Sequence, residues 1–342
     1  MIKPVFLFPG QGSQSVGMGL ALYEAFSAAR VTFIEADYAL GFPLSKLIFE
    51  GPEEDLKLTE HTQPAILTVS VAIARILAEH GITPAYAAGH SLGEYSAHVA
   101  AGTFTFAHAV QTVRARGRFM QQAVPAGQGA MAAILGLPAH QINDLCTQAS
   151  EELCEEFSRL EPLTNEPGTE VQRDIIAEST VSPANLNSPD QTVISGATAA
   201  VHRAADLCKA AGAKKTVMLQ VSAPFHCALM QPAQKALMVE LEGIPFHDPT
   251  IPVASNVDAR FTARDSDARD TLIRQVTGPV RWVECINLLA AQVPTHFIEV
   301  GPGKVLSGLN RQILGRDAAI PTLNVEDPAS LEKTLAALAS AR

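Results

Sequence analysis

Short apolar runs alternate with longer segments of helical periodicity in the first hundred residues. PVFLF (4–8) ends at a Pro-Gly pair and predicts a buried strand. TQPAILTVSVAIARILAEHG (62–81) has apolar positions at helical spacing and ends in glycine, which favours a helix C-terminus. AYAAG (85–89) predicts a second strand and EYSAHVAAG (94–102) a second helix. This alternation predicts an α/β core with a mostly parallel sheet.

The pattern changes in the middle of the chain. GAMAAILGL (129–137), QTVISGA (191–197) and KKTVMLQVS (214–222) predict strands, with helical segments between them. Strand–helix–strand–helix–strand is typical of a small α+β subdomain, which we place at residues 127–217. An acidic stretch at about 150–180 predicts a solvated helix end and a loop, inserted away from the core.

The remaining residues, 1–126 and 218–342, then form the main domain. IPVASNVDAR (251–260) and THFIEVGPG (295–303) predict further core strands, and PASLEKTLAALASA (328–341) predicts a closing helix. A chain of 342 residues with 47% hydrophobic residues is long enough for about two domains with a sizeable core.

Composition narrows the class of protein. The net charge of −10 disfavours a nucleic-acid partner, because such binding needs Lys and Arg to neutralise phosphates. No apolar run has the length of a transmembrane helix, and the N-terminus lacks a signal-peptide pattern. Five cysteines without a C-x-x-C pair predict neither disulfides nor a zinc site. We therefore expect a cytoplasmic monomer without a membrane partner, metal or cofactor.

The stretch AAGHSLGEYSA contains a candidate nucleophile, Ser91, between Gly89 and Gly93. G-x-S-x-G after a strand and before a helix is the nucleophile-elbow pattern, in which a tight turn exposes the hydroxyl at the carboxyl end of the sheet. The alternative is a surface serine in a glycine-rich loop. The flanking strand and helix favour the nucleophile.

A serine nucleophile needs a base, and several histidines are available. His226 follows a predicted strand at a loop and is modestly preferred to His202, in a predicted helix, and to His247. Spacing assigns no acidic third member, because every aspartate between Ser91 and His226 falls in the inserted subdomain. The candidates are Asp144, Asp174, Asp190 and Asp206.

The first loop, FPGQGSQSVGMG, lacks both the dinucleotide-binding spacing and a P-loop Gly-Lys. It carries two amides, Gln11 and Gln14, and can bring a backbone N–H to a reacting carbonyl. In the helix predicted at 106–123, Arg116 lies within about 60° of the centre of the apolar face, whereas Arg114 and Arg118 lie about 100° and 140° away. A buried Arg116 needs an anion, either an internal carboxylate or that of a substrate.

Together these motifs resemble the malonyl-CoA:acyl-carrier-protein transacylases of bacterial fatty-acid synthesis and the related acyltransferase domains of polyketide synthases. The resemblance extends over essentially the whole chain. The motifs are FPGQGSQ (8–14), TQPA (62–65), GHSLGEYSA (89–97), RGRFMQQAVP (116–125), GAMAAILGL (129–137), NSPDQTVISG (187–196), FHCALM (225–230), SNVDA (255–259) and EVGPGKVLSGL (299–309).

The resemblance implies a hydrolase-like α/β domain with a ferredoxin-like insertion, and roles for individual residues. Ser91 is acylated, and His226 is its base, oriented by a backbone carbonyl. Gln275 matches the position near that histidine, and Arg116 pairs with the malonyl carboxylate. Two backbone N–H groups form the oxyanion hole; they are those of Gln11 and Leu92. The substrates are malonyl-CoA and the phosphopantetheine thiol of acyl carrier protein.

Two features depart from the family pattern. The acidic stretch is longer than expected and lies outside every matched motif. Phe225 stands where simple bacterial members often have serine; in polyketide acyltransferases a Phe there accompanies malonyl selection, because its ring excludes a branch methyl by about 1–3 kcal/mol.

Three alternatives remain open from the sequence. In the first, the chain is a transacylase whose carrier protein belongs to fatty-acid or to polyketide synthesis. In the second it is a serine thioesterase or hydrolase, and in the third it is a binding module without catalysis. An acidic carrier would need a local basic face. The candidates are Lys209, Lys214, Lys215 and Arg281, and they are equally consistent with ordinary solvated charge.

Overall fold

A computed structural model of the chain describes residues 2–160, 170–221, 223–315 and 317–340. The chain divides into two compact units. The first contains residues up to Arg118, Leu237–Ile273 and the residues from Glu284 onward. The second contains Phe119–Ala236 and Arg274–Val283.

The strands of the described residues follow in chain order. They are β1 Pro4–Phe8, β2 Tyr86–Gly89, β3 Gly129–Leu135, β4 Val181–Ser188, β5 Gln191–Ala197, β6 Lys215–Met218, β7 Val253–Ala254, β8 Phe261–Thr262, β9 His296–Val300 and β10 Thr322–Val325.

The helices are numbered in the same way. They are α1 Leu20–Ala25, α2 Ser27–Leu40, α3 Leu44–Glu50, α4 Glu53–Lys57, α5 Thr59–Glu79, α6 Gly93–Ala100, α7 Phe106–Gln122, α8 Ala139–Leu160, α9 Glu170–Ser179, α10 Thr198–Ala210, α11 Gln231–Glu242, α12 Asp265–Arg274, α13 Trp282–Ala290, α14 Val305–Leu314 and α15 Pro328–Ser340, with a short 3₁₀ turn at Ala228–Met230.

The sheet of the first unit has the strand order β10-β9-β1-β2-β7-β8. Every pairing is parallel except that of β7 with the edge strand β8. β1 lies between β2 and β9 and is completely buried, as its unbroken apolar sequence predicts. The predicted mostly parallel α/β core is therefore confirmed, although its strand at 251–260 is only the two residues of β7.

The second unit contains an antiparallel sheet in the order β4-β5-β3-β6. With α8 after β3 and α10 after β5, the chain follows the ferredoxin-like β-α-β-β-α-β path, with α9 as an extra helix. The sequence predicted three of these strands and missed β4, whose residues, VSPANLNS, include a proline and two asparagines. The apolar core between sheet and helices includes Ile134, Ile142 and Ile194.

The compact second unit extends beyond the predicted span of 127–217. Val280 explains part of this extension, because it exchanges backbone hydrogen bonds with the edge strand β4. Its N–H donates to the carbonyl of Ala184 at 2.8 Å, and its carbonyl accepts the N–H of Leu186 at 2.9 Å. The segment 274–283 thus packs with the antiparallel sheet.

The acidic stretch at about 150–180 differs from the predicted helix end and loop. α8 continues as far as Leu160, and α9 occupies 170–179; residues 161–169 lie outside the described residues. Arg203 of α10 contacts Glu152 at 2.8 Å and Glu156 at 3.2 Å, so the acidic face of α8 is fixed to α10 rather than being wholly solvated.

Helix α5 packs in the core of the first unit. By length and composition it could cross a membrane, but 78% of its most apolar stretch is buried within the protein. It is therefore typical of the central helix of an α/β domain. The five cysteines are free thiols, and four of them are buried.

Candidate active site

Ser91 lies in the turn between β2 and α6. Its φ of 51° is in the left-handed region, which is rare for a residue with a side chain. A Cβ on Gly89 would lie 1.8 Å from the carbonyl carbon of Gly93, and one on Gly93 would lie 2.0 Å from the carbonyl oxygen of Phe8. Neither position can hold a side chain, so the two glycines of the G-x-S-x-G pattern are required by packing.

The loop after β1 contacts this turn directly. A Cβ on Gly10 would lie 2.4 Å from the carbonyl oxygen of His90, so the two backbones touch. Within the loop, the Gly12 N–H donates to Oε1 of Gln14 at 2.7 Å. Nε2 of Gln11 donates to Oγ1 of Thr59 at 3.4 Å, which attaches the loop to the start of α5.

Leu92 directly precedes α6 and has helical backbone angles. The first N–H groups of a helix have no acceptor within the helix, and the helix dipole places partial positive charge there. The buried Leu92 and the exposed Gln11 thus belong to two backbone segments that meet beside Ser91. Such segments can supply N–H groups to a developing oxyanion.

Arg116 of α7 is 2% exposed, as its position on the helical wheel predicts. Its Nη1 donates to Oε1 of Gln63 at 2.8 Å, and its Nη2 donates to Oγ of Ser91 at 3.1 Å. The guanidinium carbon lies 5.5 Å from the centre of the Tyr95 ring. Burial lowers the pKa of Arg116 and raises the pKa of Tyr95. A buried cation therefore contacts the candidate nucleophile.

Asn256, in the loop after β7, forms hydrogen bonds with the backbone of the turn that contains Ser91. Its Oδ1 accepts the N–H of Ser91 at 2.7 Å, and its Nδ2 donates to the carbonyl of Gly89 at 2.8 Å. Its own N–H donates to Oε2 of the buried Glu94 at 3.0 Å. Asn256 lies in the family motif SNVDA, but the sequence alone indicates no role for it.

His226 belongs to the second unit and is 4% exposed, with a φ of 61°. Its Nδ1 lies 2.9 Å from the carbonyl oxygen of Gln275, in the segment 274–283. A carbonyl only accepts, so Nδ1 carries the proton in this hydrogen bond. In the neutral ring Nε2 is then the unprotonated nitrogen, which can act as a base.

The other residues considered for acid–base chemistry lie at the surface. His202 and His247 are exposed. The four candidate aspartates, Asp144, Asp174, Asp190 and Asp206, are exposed as well. Phe225, which directly precedes His226 in the sequence, is buried. Among the candidate basic residues, Lys209, Lys214 and Lys215 are exposed and Arg281 is half-buried.

Two residues of this site, Gln63 and Asn256, were not predicted. Both are amides in quoted motifs, TQPA and SNVDA, and both are buried. A buried amide is expected to have hydrogen-bond partners, but periodicity gives no information on which partners these are. Among the described residues, no group of three or more His, Cys, Asp or Glu side chains could hold a metal ion.

Comparison with known families identifies the class of protein. The acyl transferase domain family matches residues 5–148 and 161–336, which include both glycine-rich loops, Arg116, His226 and Asn256. The chain belongs to this acyltransferase family.

Within it, the similar proteins are malonyl CoA-acyl carrier protein transacylases, which confirms the predicted resemblance. The Bacillus subtilis (strain 168) protein is 47% identical over 338 residues, covering 99% of this chain and 98% of its own length. The Escherichia coli (strain K12) protein is 47% identical over 315 residues, covering 92% and 94%.

Solved structures agree with the sequence relatives. An acyl carrier protein S-malonyltransferase from Vibrio cholerae is 45% identical, with a TM-score of 0.86 and coverage of 97% of this chain and 99% of that one. A malonyl-transacylase solved in complex with a type II PKS acyl-carrier protein is 43% identical, with a TM-score of 0.87 and the same coverage. The predicted fold class is confirmed by these matches.

Proposed function

We propose that this chain transfers the malonyl group of malonyl-CoA to the phosphopantetheine thiol of acyl carrier protein, through a malonyl ester on Ser91. The observation that carries the proposal is the contact between Arg116 and Ser91. A malonyl group differs from acetyl by a free carboxylate. A desolvated guanidinium next to the acylated hydroxyl is the partner that such a carboxylate needs.

The first half-reaction forms the acyl-enzyme. His226 takes the hydroxyl proton at Nε2 while Oγ of Ser91 attacks the thioester carbonyl. The N–H groups of Gln11 and Leu92 stabilise the tetrahedral oxyanion. The C–S bond then breaks, and the CoA thiolate receives the proton from His226 and leaves as the thiol.

The second half-reaction reverses these steps with a new thiol. The pantetheine thiol of the carrier gives its proton to His226 and attacks the Ser91 ester carbonyl. Collapse of the intermediate breaks the C–O bond, and Ser91 recovers the proton. The backbone carbonyl of Gln275 keeps His226 in the tautomer that both halves require, a role that a carboxylate has in other serine enzymes.

Arg116 selects the malonyl group in this scheme. Acetyl would bring an apolar methyl to a buried cation, which costs more than the loss of one surface ion pair. Gln63, bonded to Nη1, leaves Nη2 directed toward Ser91. Phe225 contributes a second selection, against a methyl branch on the α-carbon, through the bulk of its ring.

Intact-protein mass spectrometry after mixing with malonyl-CoA or acetyl-CoA tests the proposal. The expected result is one malonyl adduct on Ser91, which disappears when phosphopantetheinylated carrier is added. Ser91→Ala is the control and should give no adduct. Release of free malonate without an adduct would instead favour a thioesterase, and no reaction would favour a binding module.

Polyketide synthesis is a second candidate destination for the malonyl group. The structural relative solved with a type II PKS acyl-carrier protein supports it. Comparing kcat/KM for holo carriers of the two pathways separates them. We propose that Lys209, Lys214 and Lys215, which are exposed, receive the acidic carrier. We also place the reaction in the cytoplasm, where free thiols persist.

A further inference from the structure

We infer that Asn256 is a positioning residue, whose side-chain amide holds Ser91 in the left-handed backbone conformation needed for acylation. The inference rests on the proposed function, because Ser91 must be the acylated residue. It assigns a reaction role to a residue that contacts the backbone of the turn and is not proposed to touch the substrate.

The contacts of Asn256 are a matched pair. Its Oδ1 accepts from the N–H of Ser91 at 2.7 Å, and its Nδ2 donates to the carbonyl of Gly89 at 2.8 Å. A single side-chain amide thus connects the backbone of Gly89 with the backbone of Ser91, on either side of His90. The side chain of Asn256 is completely buried; the bond to Gly89 is therefore shielded from water, and the bond from the half-buried Ser91 is partly shielded.

Only an amide of this length satisfies both groups. Asparagine carries an acceptor and a donor on one short planar side chain. Aspartate would keep the acceptor for Ser91 but would place a second oxygen opposite the Gly89 carbonyl. Alanine would leave the part-buried N–H of Ser91 and the buried carbonyl of Gly89 without this partner. The residue type at 256 is therefore specified by the turn.

The position of Asn256 is itself fixed by the elbow. Its backbone N–H donates to Oε2 of Glu94, in the first turn of α6, at 3.0 Å. Glu94 is completely buried, so this bond is also shielded from water. Helix α6, which follows Ser91, therefore fixes the position of Asn256, and Asn256 in turn fixes the backbone of Ser91. These hydrogen bonds connect the loop after β7 to the turn.

The conformation held in this way is one that serine rarely adopts. A φ of 51° costs free energy and persists only when neighbouring groups impose it. That conformation places Oγ 3.1 Å from Nη2 of Arg116. If the amide is lost, the turn can relax and Oγ moves relative to Arg116 and to the N–H of Leu92. A displacement of about 1 Å is enough to slow a reaction roughly 100-fold.

Single-turnover acylation by malonyl-CoA, quenched and read by intact mass, tests this role. The variants are Asn256→Ala, which removes both side-chain bonds, and Asn256→Asp, which keeps the shape but removes the donor. Asn310→Ala is the matched control, since Asn310 is a completely buried asparagine on α14 of the same unit. Three quantities are measured: the rate constant at saturation, the half-saturating concentration and the fraction of protein acylated.

Both Asn256 variants should acylate about 10- to 100-fold more slowly than wild type. The half-saturating concentration should change less than about twofold, and the preference for malonyl over acetyl should remain, because the bond between Gln63 and Arg116 is intact. Almost every molecule should still become acylated. Asn310→Ala should acylate at the wild-type rate.

A merely structural role would produce a different result. It would lower the fraction acylated while the rate constant of the remaining molecules stayed normal, and that outcome would overturn the inference. So would an unchanged rate in the near-isosteric Asn256→Asp, which decides the matter if Asn256→Ala fails to fold. A wild-type chain that forms no Ser91 adduct would instead contradict the proposed function itself.

Discussion

Nη2 of Arg116 lies 3.1 Å from Oγ of Ser91, and Nη1 of the same guanidinium lies 2.8 Å from Oε1 of Gln63. One amino group of the guanidinium is thus bound to the side-chain amide of Gln63, and the other contacts the candidate nucleophile. Because Arg116 is 2% exposed, the charge on this guanidinium is poorly screened by solvent.

Arg116→Ala should abolish the discrimination between malonyl and acetyl groups. Loss of one partner of a buried charge pair costs about 2–5 kcal/mol, so kcat/KM for malonyl-CoA should fall roughly 30-fold to several thousand-fold. The rate with acetyl-CoA should fall much less or rise. Arg118→Ala, an exposed arginine on the same helix, is the matched control. Retained malonyl preference in Arg116→Ala would show that the carboxylate binds elsewhere.

Gln63→Glu should weaken malonyl-CoA binding without removing any large group. A carboxylate at this position would pair with Nη1 of Arg116 and compete with the malonyl carboxylate for the positive charge. We expect a rise of about tenfold or more in KM for malonyl-CoA, equivalent to about 1.4 kcal/mol, and a smaller change for acetyl-CoA. Gln63→Met controls for shape. Equal effects on both substrates would refute this reasoning.

Gly93→Ala should destabilise the first unit. The added methyl would lie 2.0 Å from the backbone oxygen of Phe8, so α6 and β1 must move apart at a cost of about 3 kcal/mol or more. Gly308→Ala on α14 is the control, because its Cβ would meet nothing within 4 Å. It should stabilise the helix by about 0.5–1 kcal/mol. Urea unfolding midpoints measure the stability of both variants. Similar midpoints for Gly93→Ala and Gly308→Ala would show that the added methyl at position 93 is not excluded by packing.

His98 should make the first unit less stable as the pH falls. Burial lowers the pKa of His98 to about 3, from an ordinary value of 6.5, and its Nδ1 contacts Oγ1 of Thr103 at 3.0 Å. Between pH 6.5 and about pH 3, His98 is protonated in the unfolded chain but neutral in the folded chain. The free energy of unfolding therefore decreases as the pH falls from 6.5 toward 3, by up to about 1.4 kcal/mol per pH unit from this residue.

Urea titrations at several pH values measure this slope. His98→Gln should flatten it relative to wild type, whereas His247→Gln, a change at an exposed histidine, should leave it unaltered. An identical pH dependence in wild type and His98→Gln would mean that the ring is protonated in the folded protein.

Phe225→Ser should widen the range of acyl groups. Removing the ring removes the bulk that is proposed to exclude a methyl branch, an effect of about 1–3 kcal/mol or roughly 5- to 150-fold. The rate with methylmalonyl-CoA relative to malonyl-CoA should rise by that factor. Phe225→Leu, which keeps an apolar side chain of substantial volume, should change the ratio less. An unchanged ratio in both variants would assign the selection to another residue.

Residues whose environment follows from local periodicity were predictable. The apolar run of β1 gave a buried strand with the correct ends, and the wheel of α7 separated the buried Arg116 from the exposed Arg118. The elbow at Ser91 was predictable because its two glycines mark a turn that no side chain fits. In each case the sequence signal lies within a few residues of the feature that it predicts, although the contact that excludes a side chain at Gly93 is with the distant Phe8.

Features that depend on distant partners were missed. β4 contains Pro183 and two asparagines, and its pairing with β5 shifts register at Pro183, so its sequence lacks the alternation of a regular strand. The contact of Asn256 with Ser91 joins residues 165 positions apart. No local pattern reports such a distance, and only the order of the strands in the sheet brings these segments together.

The order of strands in the first sheet also has a consequence for biosynthesis. β1 is synthesised long before one of its two neighbours, β9, which begins only at His296. Until β9 has been synthesised, β1 therefore has an open edge, and the apolar α5 lacks part of its final surroundings. We expect this unit to complete its folding only after β9 has emerged from the ribosome, and its nascent chain to depend until then on chaperones that shield such segments.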